Sequence, residues 1–262
     1  MPDVEIHPTA IIDPGAIIGD ETKIGPYCVI SAGVQIGQGC VLHNHVSIEG
    51  NTVIGDQNTF HAHSAIGGQS QDLKYSGEPT HLEIGSQNTF REFVTVNRGT
   101  DPGNKTLVGS HGIFLAYSHI AHDCVVGDHV IFSNNGTLAG HVQMGDYAIL
   151  GGLTAVHQFC RIGPHAMTGG CSKIVQDVPP FMIADGNPAE IRSINAIGLQ
   201  RRGFADEDIR TLKEAYKTIF LRKMTVADAL AKLKNNSSGL TDDHPVQILI
   251  SFIESSERGI LR

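Results

Sequence analysis

Residues 119–150 read HIAHDCVVGDHVIFSNNGTLAGHVQMGDYAIL, and in this stretch Ile120, Val126, Phe132, Leu138, Met144 and Leu150 recur at every sixth position. The same phase extends back through Phe60, Ile54, Ile48 and Leu42 to Ile6, and forward through Val156 and Ile162 to Ile174. Of the 29 positions from 6 to 174, only Asp72, Glu78, Pro102 and Thr168 are not apolar. Period six is neither the 3.6 of a helix nor the 2 of an alternating strand, so it indicates a repeat architecture. Each repeat is expected to be a short strand followed by a tight turn. The large apolar side chain and a small one four places later (Ala10, Ala16, Thr22, Cys28) both point into a narrow core. A glycine directly follows twelve of the 29 positions, Gly19, Gly109 and Gly163 among them, and is expected to supply backbone freedom at the corner.

The pattern resembles the hexapeptide-repeat transferases, whose left-handed parallel β-helix builds each triangular coil from three hexapeptides, about 18 residues. The resemblance implies that handedness; the spacing does not. The expected organisation is a coil over residues 1–187 and a small C-terminal helical domain over residues 188–262. Residues 67–83 and 97–107 lose the apolar register and read as loops protruding from the coil, where solenoids carry function. In the tail, Asp206-Glu207-Asp208 opens an amphipathic helix, Thr225 to Asp228 a second, and Val246 to Ile253 forms a third apolar face.

The chain has 262 residues, 40% hydrophobic and 18% charged, which is enough for one large domain with a smaller appendage. No run of 18 apolar residues spans a membrane, and the start, MPDVEIHPTA, lacks the flank and apolar stretch of a signal peptide. Five Cys without such a signal indicate a reducing compartment, so a cytoplasmic protein is expected. Residues 1–187 hold 7 Lys and Arg against 17 Asp and Glu, while residues 188–262 hold 12 against 10. The acidic body argues against nucleic acid as a partner, and the basic tail suits a small acidic one.

Cys28, Cys40, Cys124 and Cys160 fall in the small inward position, which makes them core residues rather than nucleophiles. With 14 His in the chain, His119, His122, His141 and His157 stand out. Adding 18 to a residue number gives the residue stacked above, about 4.8 Å away. His122 then sits under Gly140, Gly140 under Gln158, Asp123 under His141, and Ala139 under His157. A histidine beside a glycine N–H offers a general base next to an oxyanion donor. The same spacing permits a zinc site of His119 and His122, with His81 or His141 from a neighbouring chain, as in hexapeptide-repeat carbonic anhydrases. A scaffold without catalysis is the third class.

Local strings narrow the choice. QDLKYSGEPT (71–80), IAHDC (120–124), LAGH (138–141), TAVHQFC (154–160), GNPA (186–189) and RRGF (201–204) resemble the UDP-N-acetylglucosamine O-acyltransferases, the family that opens lipid A synthesis. The likeness runs the whole chain. It implies transfer of an (R)-3-hydroxyacyl chain from acyl carrier protein to the glucosamine 3-OH of UDP-N-acetylglucosamine, in a homotrimer, with no metal and no cofactor beyond the phosphopantetheine that arrives with the donor. His122 matches the general base and Gly140 the oxyanion donor, and Asp123 and His141 are candidates to orient the base or touch the sugar. Asp72, Lys74 and His119 match sugar-side positions, while His157, Gln158, Asn195 and Arg202, with Arg201 alongside, match nucleotide or donor contacts. Two arginines before Gly203 also suit a helix C-terminus. Gly170 matches a position where a bulky residue shortens the acyl groove. Asn97 stands where the family commonly has His, which raises an acceptor with a 3-amino group as an alternative.

Overall fold

The computed structural model describes residues 4–236 and 239–262. Strands of mostly two residues form three sheets of 11, 9 and 8 strands, each sheet one face of a triangular prism. Pairing within the coil is parallel, and away from the two loops and the last turn it joins residues 18 apart, as in Glu5↔Lys23 and Ile120↔Leu138. The offset is 30 at Ala65↔Thr95 and 24 at Thr95↔His119, so the two loops insert 12 and 6 residues. Both insertions are whole multiples of the repeat, which is why the apolar phase survives them.

The six-residue positions line the interior. Phe60, Phe90 and Phe114 stack down the axis at centroid spacings of 5.0 and 4.6 Å, and Cys28, Cys40, Cys124 and Cys160 are fully buried between coils. Burial pushes the Cys124 thiol up to about 12, so it is an inert core group.

The glycine after each apolar residue differs from expectation in its reason. Of the twelve, only Gly67 has a positive φ. The others lie where one coil crosses the next: a Cβ at Gly109 would stand 2.7 Å from the carbonyl carbon of Gly127, and one at Gly25 2.8 Å from the Leu42 oxygen. The left-handed corner residue falls two places later, as Tyr27, His45, His63, Phe93, His111, His129, Tyr147 or His165, all with φ near +60°. These side chains stack into external ladders. Tyr27, His45, His63, Phe93 and Tyr117 follow one another at 4.9 to 5.1 Å. Much of the histidine content is thereby structural.

The coil ends in an antiparallel hairpin, Met182–Gly186 with Ala189–Ile194, so the division expected at 187/188 falls inside a strand pair. Pro188 lies in the turn of that hairpin. Helices α1 (Ala196–Arg201), α2 (Asp206–Tyr216), α3 (Val226–Asn236) and α4 (Pro245–Glu254) follow, with three acidic residues in the first turn of α2. The C-terminus returns to the coil, where Asp177 accepts from Ser256 Oγ at 2.7 Å.

Candidate active site

Three corners run the length of the coil, and the one that follows the nine-stranded sheet gathers the reactive groups. The strand His119–Ile120 ends in a turn that buries His122, 7% exposed, and puts Asp123 in the left-handed conformation, φ 58°. His122 Nδ1 lies 2.8 Å from Asp123 Oδ2. A carboxylate only accepts, so Nδ1 carries the proton and Nε2 keeps its lone pair free. One coil on, the Gly140 backbone occupies the space over the ring: a Cβ there would stand 2.5 Å from His122 Nε2. Gly140 is buried, and its N–H takes no partner among the described residues. A free N–H beside a free imidazole nitrogen is the arrangement that general-base acyl transfer requires.

The surrounding groups hold this pair. Burial favours the neutral form of Asp123, yet hydrogen bonds from His122 and Thr100 hold its carboxyl below the usual range. Its Oδ1 accepts from the Thr100 N–H at 3.2 Å, and its own N–H donates to Thr106 Oγ1 at 2.8 Å. His141 stands edge-on to His122 at 5.2 Å, with Nε2 3.8 Å from Asp123 Oδ2, and stacks on Phe159. His119 is displaced by one strand position, its Nδ1 2.7 Å from Thr95 Oγ1. Burial, then the nearby His122, lower its pKa. Among the described residues the groups able to share a metal are His122, Asp123 and His141. His119 lies outside that group, with its Nδ1 on the Thr95 hydroxyl, and His81 lies in the eight-stranded sheet.

The loops approach from the side. Asp72 Oδ1 accepts from the Lys74 N–H at 2.8 Å, leaving the Lys74 side chain exposed. The Asp72 N–H donates to Ser70 Oγ. Asn97 is buried, donates Nδ2 to the Gln69 carbonyl at 2.9 Å, and leaves Oδ1 without a partner among the described residues. Arg98, also buried, donates to the Gly67 carbonyl and so fastens the base of the first loop. Ser70, Thr100 and Arg98 escape the sequence reading because the loops have no periodicity to single them out.

Of the remaining predicted residues, two share the catalytic corner and the others lie farther round the coil. Gln158 and His157 occupy the catalytic corner one coil beyond Gly140, both exposed, with His157 Nδ1 3.4 Å from the Arg258 guanidinium. Asn195 is buried as the N-cap of α1 and donates to the His165 carbonyl. Arg202 caps the C-terminus of α1, donates to the Tyr147 carbonyl at 3.0 Å and lies over the Tyr147 ring. These two therefore sit at the corner after the eight-stranded sheet. Arg201 borders a groove of about 830 Å³ with an apolar floor (Ile149, Met167, Ile183) and two lysines, Lys213 and Lys217. Gly170 is exposed at the third corner, where a Cβ would meet only the Gly152 carbonyl at 3.4 Å. No helix among the described residues is long and apolar enough to cross a membrane.

Known proteins resemble this chain along nearly its whole length. Residues 177–261 match the second-domain model of the UDP-N-acetylglucosamine O-acyltransferases. An acyl-[acyl-carrier-protein]–UDP-N-acetylglucosamine O-acyltransferase of Akkermansia muciniphila is 56% identical, covering 97% of this chain and 98% of its own. Among solved structures, LpxA of Acinetobacter baumannii superposes with a TM-score of 0.93 at 47% identity, over 98% of this chain and 99% of that one. The UDP-N-acetylglucosamine O-acyltransferase of Moraxella catarrhalis does so with a TM-score of 0.93 at 43% identity, over the same shares. Superposition at that level requires the same sense of winding, so the coil is the left-handed parallel β-helix. With identity near half along nearly the full length of both chains, the protein belongs to the UDP-N-acetylglucosamine O-acyltransferase family.

Proposed function

We propose that this chain transfers an (R)-3-hydroxyacyl chain from acyl carrier protein to the glucosamine 3-OH of UDP-N-acetylglucosamine, the first step of lipid A synthesis, in the cytoplasm. The observation that carries the reading is the free Nε2 of His122 facing the Gly140 backbone, with Nδ1 held by Asp123. Nε2 takes the proton of the 3-OH as its oxygen attacks the thioester carbonyl. The Gly140 N–H receives the tetrahedral oxyanion. Asp123 keeps the ring turned and balances its charge while it is protonated. Collapse breaks the carbon–sulfur bond, and the departing thiolate recovers the proton from Nε2, leaving an ester and a free phosphopantetheine thiol. Imidazole and backbone suffice for each step, and no metal is invoked.

Asp72, Lys74, His119 and His141 line the approach to Nε2 and take the sugar. His157, Gln158, Asn195, Arg201 and Arg202 serve the nucleotide and the donor, the cationic groove beside Arg201 suiting an acidic carrier protein. Because one chain places these groups on different corners, a homotrimer that sets one subunit's His122 against another's Arg201 completes the site. Exposed Tyr27, Phe93, Tyr117 and Leu153, on one corner with His45 and His63, supply a surface for that assembly. Gly170 leaves its corner open, which suits a longer acyl chain.

The test is product mass after mixing the purified protein with UDP-N-acetylglucosamine and 3-hydroxyacyl carrier proteins, with chelator present. A 3-O-hydroxyacylated nucleotide sugar, lost in His122→Ala, is expected. Product formed at the native rate by His122→Ala would overturn the role of the base, and product abolished by chelator alone would favour the metal. A second reading, acylation of a 3-amino sugar nucleotide, rests on Asn97, whose Oδ1 is buried beside the first loop with no partner among the described residues. Running both acceptors in the same assay, with Asn97→His beside the native chain, separates the two.

A further inference from the structure

Ser70 comes from the 12-residue insertion and Thr100 from the 6-residue one, yet their hydroxyl oxygens meet at 2.7 Å. Both residues are buried, 9% and 6% exposed. Thr100 Oγ1 lies 2.9 Å from His122 Nδ1, and the Thr100 N–H donates to Asp123 Oδ1 at 3.2 Å. One residue therefore touches both members of the catalytic pair. At the other end, Ser70 Oγ accepts the N–H of Asp72 at 3.2 Å. A continuous run of polar contacts joins the backbone of the first loop to the imidazole.

The chemistry of the contacts is directional. Nδ1 has a single proton, shared between Asp123 Oδ2 and Thr100 Oγ1. With that lone pair of Thr100 taken, its own hydroxyl proton is free to go to Ser70, which fixes the Thr100 rotamer. Rotation of the Asp123 carboxylate about Cβ–Cγ would break the bond to Nδ1, and the Thr100 N–H on Oδ1 opposes that rotation. A buried hydroxyl costs stability unless satisfied, so two of them meeting over the histidine are there for a geometric end.

We infer that Thr100 is a positioning residue that fixes His122 and Asp123 in their reactive orientation, with Ser70 linking that orientation to the placement of the first inserted loop. The inference rests on His122 acting as the base. Thr100 touches the base through Nδ1 and not through the Nε2 that takes the proton, so it governs the rate of the chemical step and not the affinity for the sugar.

The experiment compares Thr100→Val, which keeps the shape and removes the hydroxyl, with Thr100→Ser, which keeps the hydroxyl and removes the methyl. Ser70→Ala and His122→Ala are run beside them in the full-length protein, with UDP-N-acetylglucosamine and 3-hydroxyacyl carrier protein as substrates. Thr100→Val should lower kcat about tenfold or more while KM for the sugar nucleotide stays within about twofold. Thr100→Ser should recover kcat to within about threefold of native, and Ser70→Ala should fall between them. Valine and serine variants of equal rate, or a rise in KM with kcat unchanged, would overturn the role of the hydroxyl. If Thr100→Val does not fold, as thermal melting reports, a native kcat in Ser70→Ala together with a crippled Thr100→Ser overturns it equally. A silent Thr100→Val beside an inactive His122→Ala fails this inference alone, whereas a fully active His122→Ala fails the base and the inference with it.

Discussion

Gly140 answers two demands at one position. Its N–H must be free to meet an oxyanion, and its missing side chain gives the His122 ring its space. Gly140→Ala pushes a methyl group against the imidazole without touching the coil's interior, so transfer should fall about 100-fold or more, the scale of a lost oxyanion donor, while the melting temperature changes little. A Gly140→Ala enzyme with native kcat would show that the space over the His122 ring is not required. His165 presents the opposite case, a histidine with no chemistry. Burial, with the Arg202 guanidinium adding to it, pushes its pKa down to about 4, and its Nδ1 has no partner among the described residues. Between the ordinary value and about 4 the unfolded chain binds a proton that the folded one refuses. Its stability contribution is therefore complete above the ordinary histidine range and lost as pH falls toward 4, on the order of 2 kcal/mol after allowance for partial exposure. His165→Phe keeps a ring between Tyr147 and Phe181 and removes the titration. Urea midpoints at pH 7 and pH 4.5 should diverge in favour of the variant at the acid end, and parallel midpoints would refute the shift.

At the scale of the single coil, glycine and the left-handed corner divide two tasks that the sequence pattern merges. A period of six shows that a glycine belongs after the apolar residue, but not whether a torsion or a close approach demands it. The structure assigns it to close approach, and the left-handed torsion falls to His, Tyr, Phe and Asp two places on. That second position was illegible because no single residue type occupies it. Gly109→Ala should accordingly cost roughly 1–3 kcal/mol or more by forcing two coils apart, while Gly170→Ala, with only the Gly152 carbonyl at 3.4 Å, should stay within about 0.5 kcal/mol. Equal denaturation midpoints for the two variants would contradict the division. The same periodicity made the core, the inward cysteines and the Gly140–His122 stacking legible, since each follows from a residue number modulo 18. It gave nothing for Ser70, Thr100 or Arg98, because the inserted loops keep the phase of the coil without using it and their contacts depend on how two irregular segments meet.

For the whole molecule, the distribution of groups around the three corners sets a requirement. His122 and Gly140 occupy one corner, Asn195 and Arg202 cap the end of another, and Gly170 opens on the third. A rigid coil cannot fold these together, because neighbouring faces are locked by ladders along the whole prism. Either the site uses only its own corner, or a second copy brings the rest. The ladder from Tyr27 through Phe93 to Tyr117 favours the second, since Phe93 is 43% and Tyr117 56% exposed on a surface with no cover from the chain itself. Stacking there contributes about 1 kcal/mol per pair within the chain, so Phe93→Glu should leave the coil folded while placing a charge in the middle of any subunit contact. The native protein should sediment as an assembly of three 28.1 kDa chains and Phe93→Glu as single chains, with transfer activity lost in step. A native protein that sediments as one chain and transfers at full rate would confine the site to a single corner and remove Asn195, Arg201 and Arg202 from it.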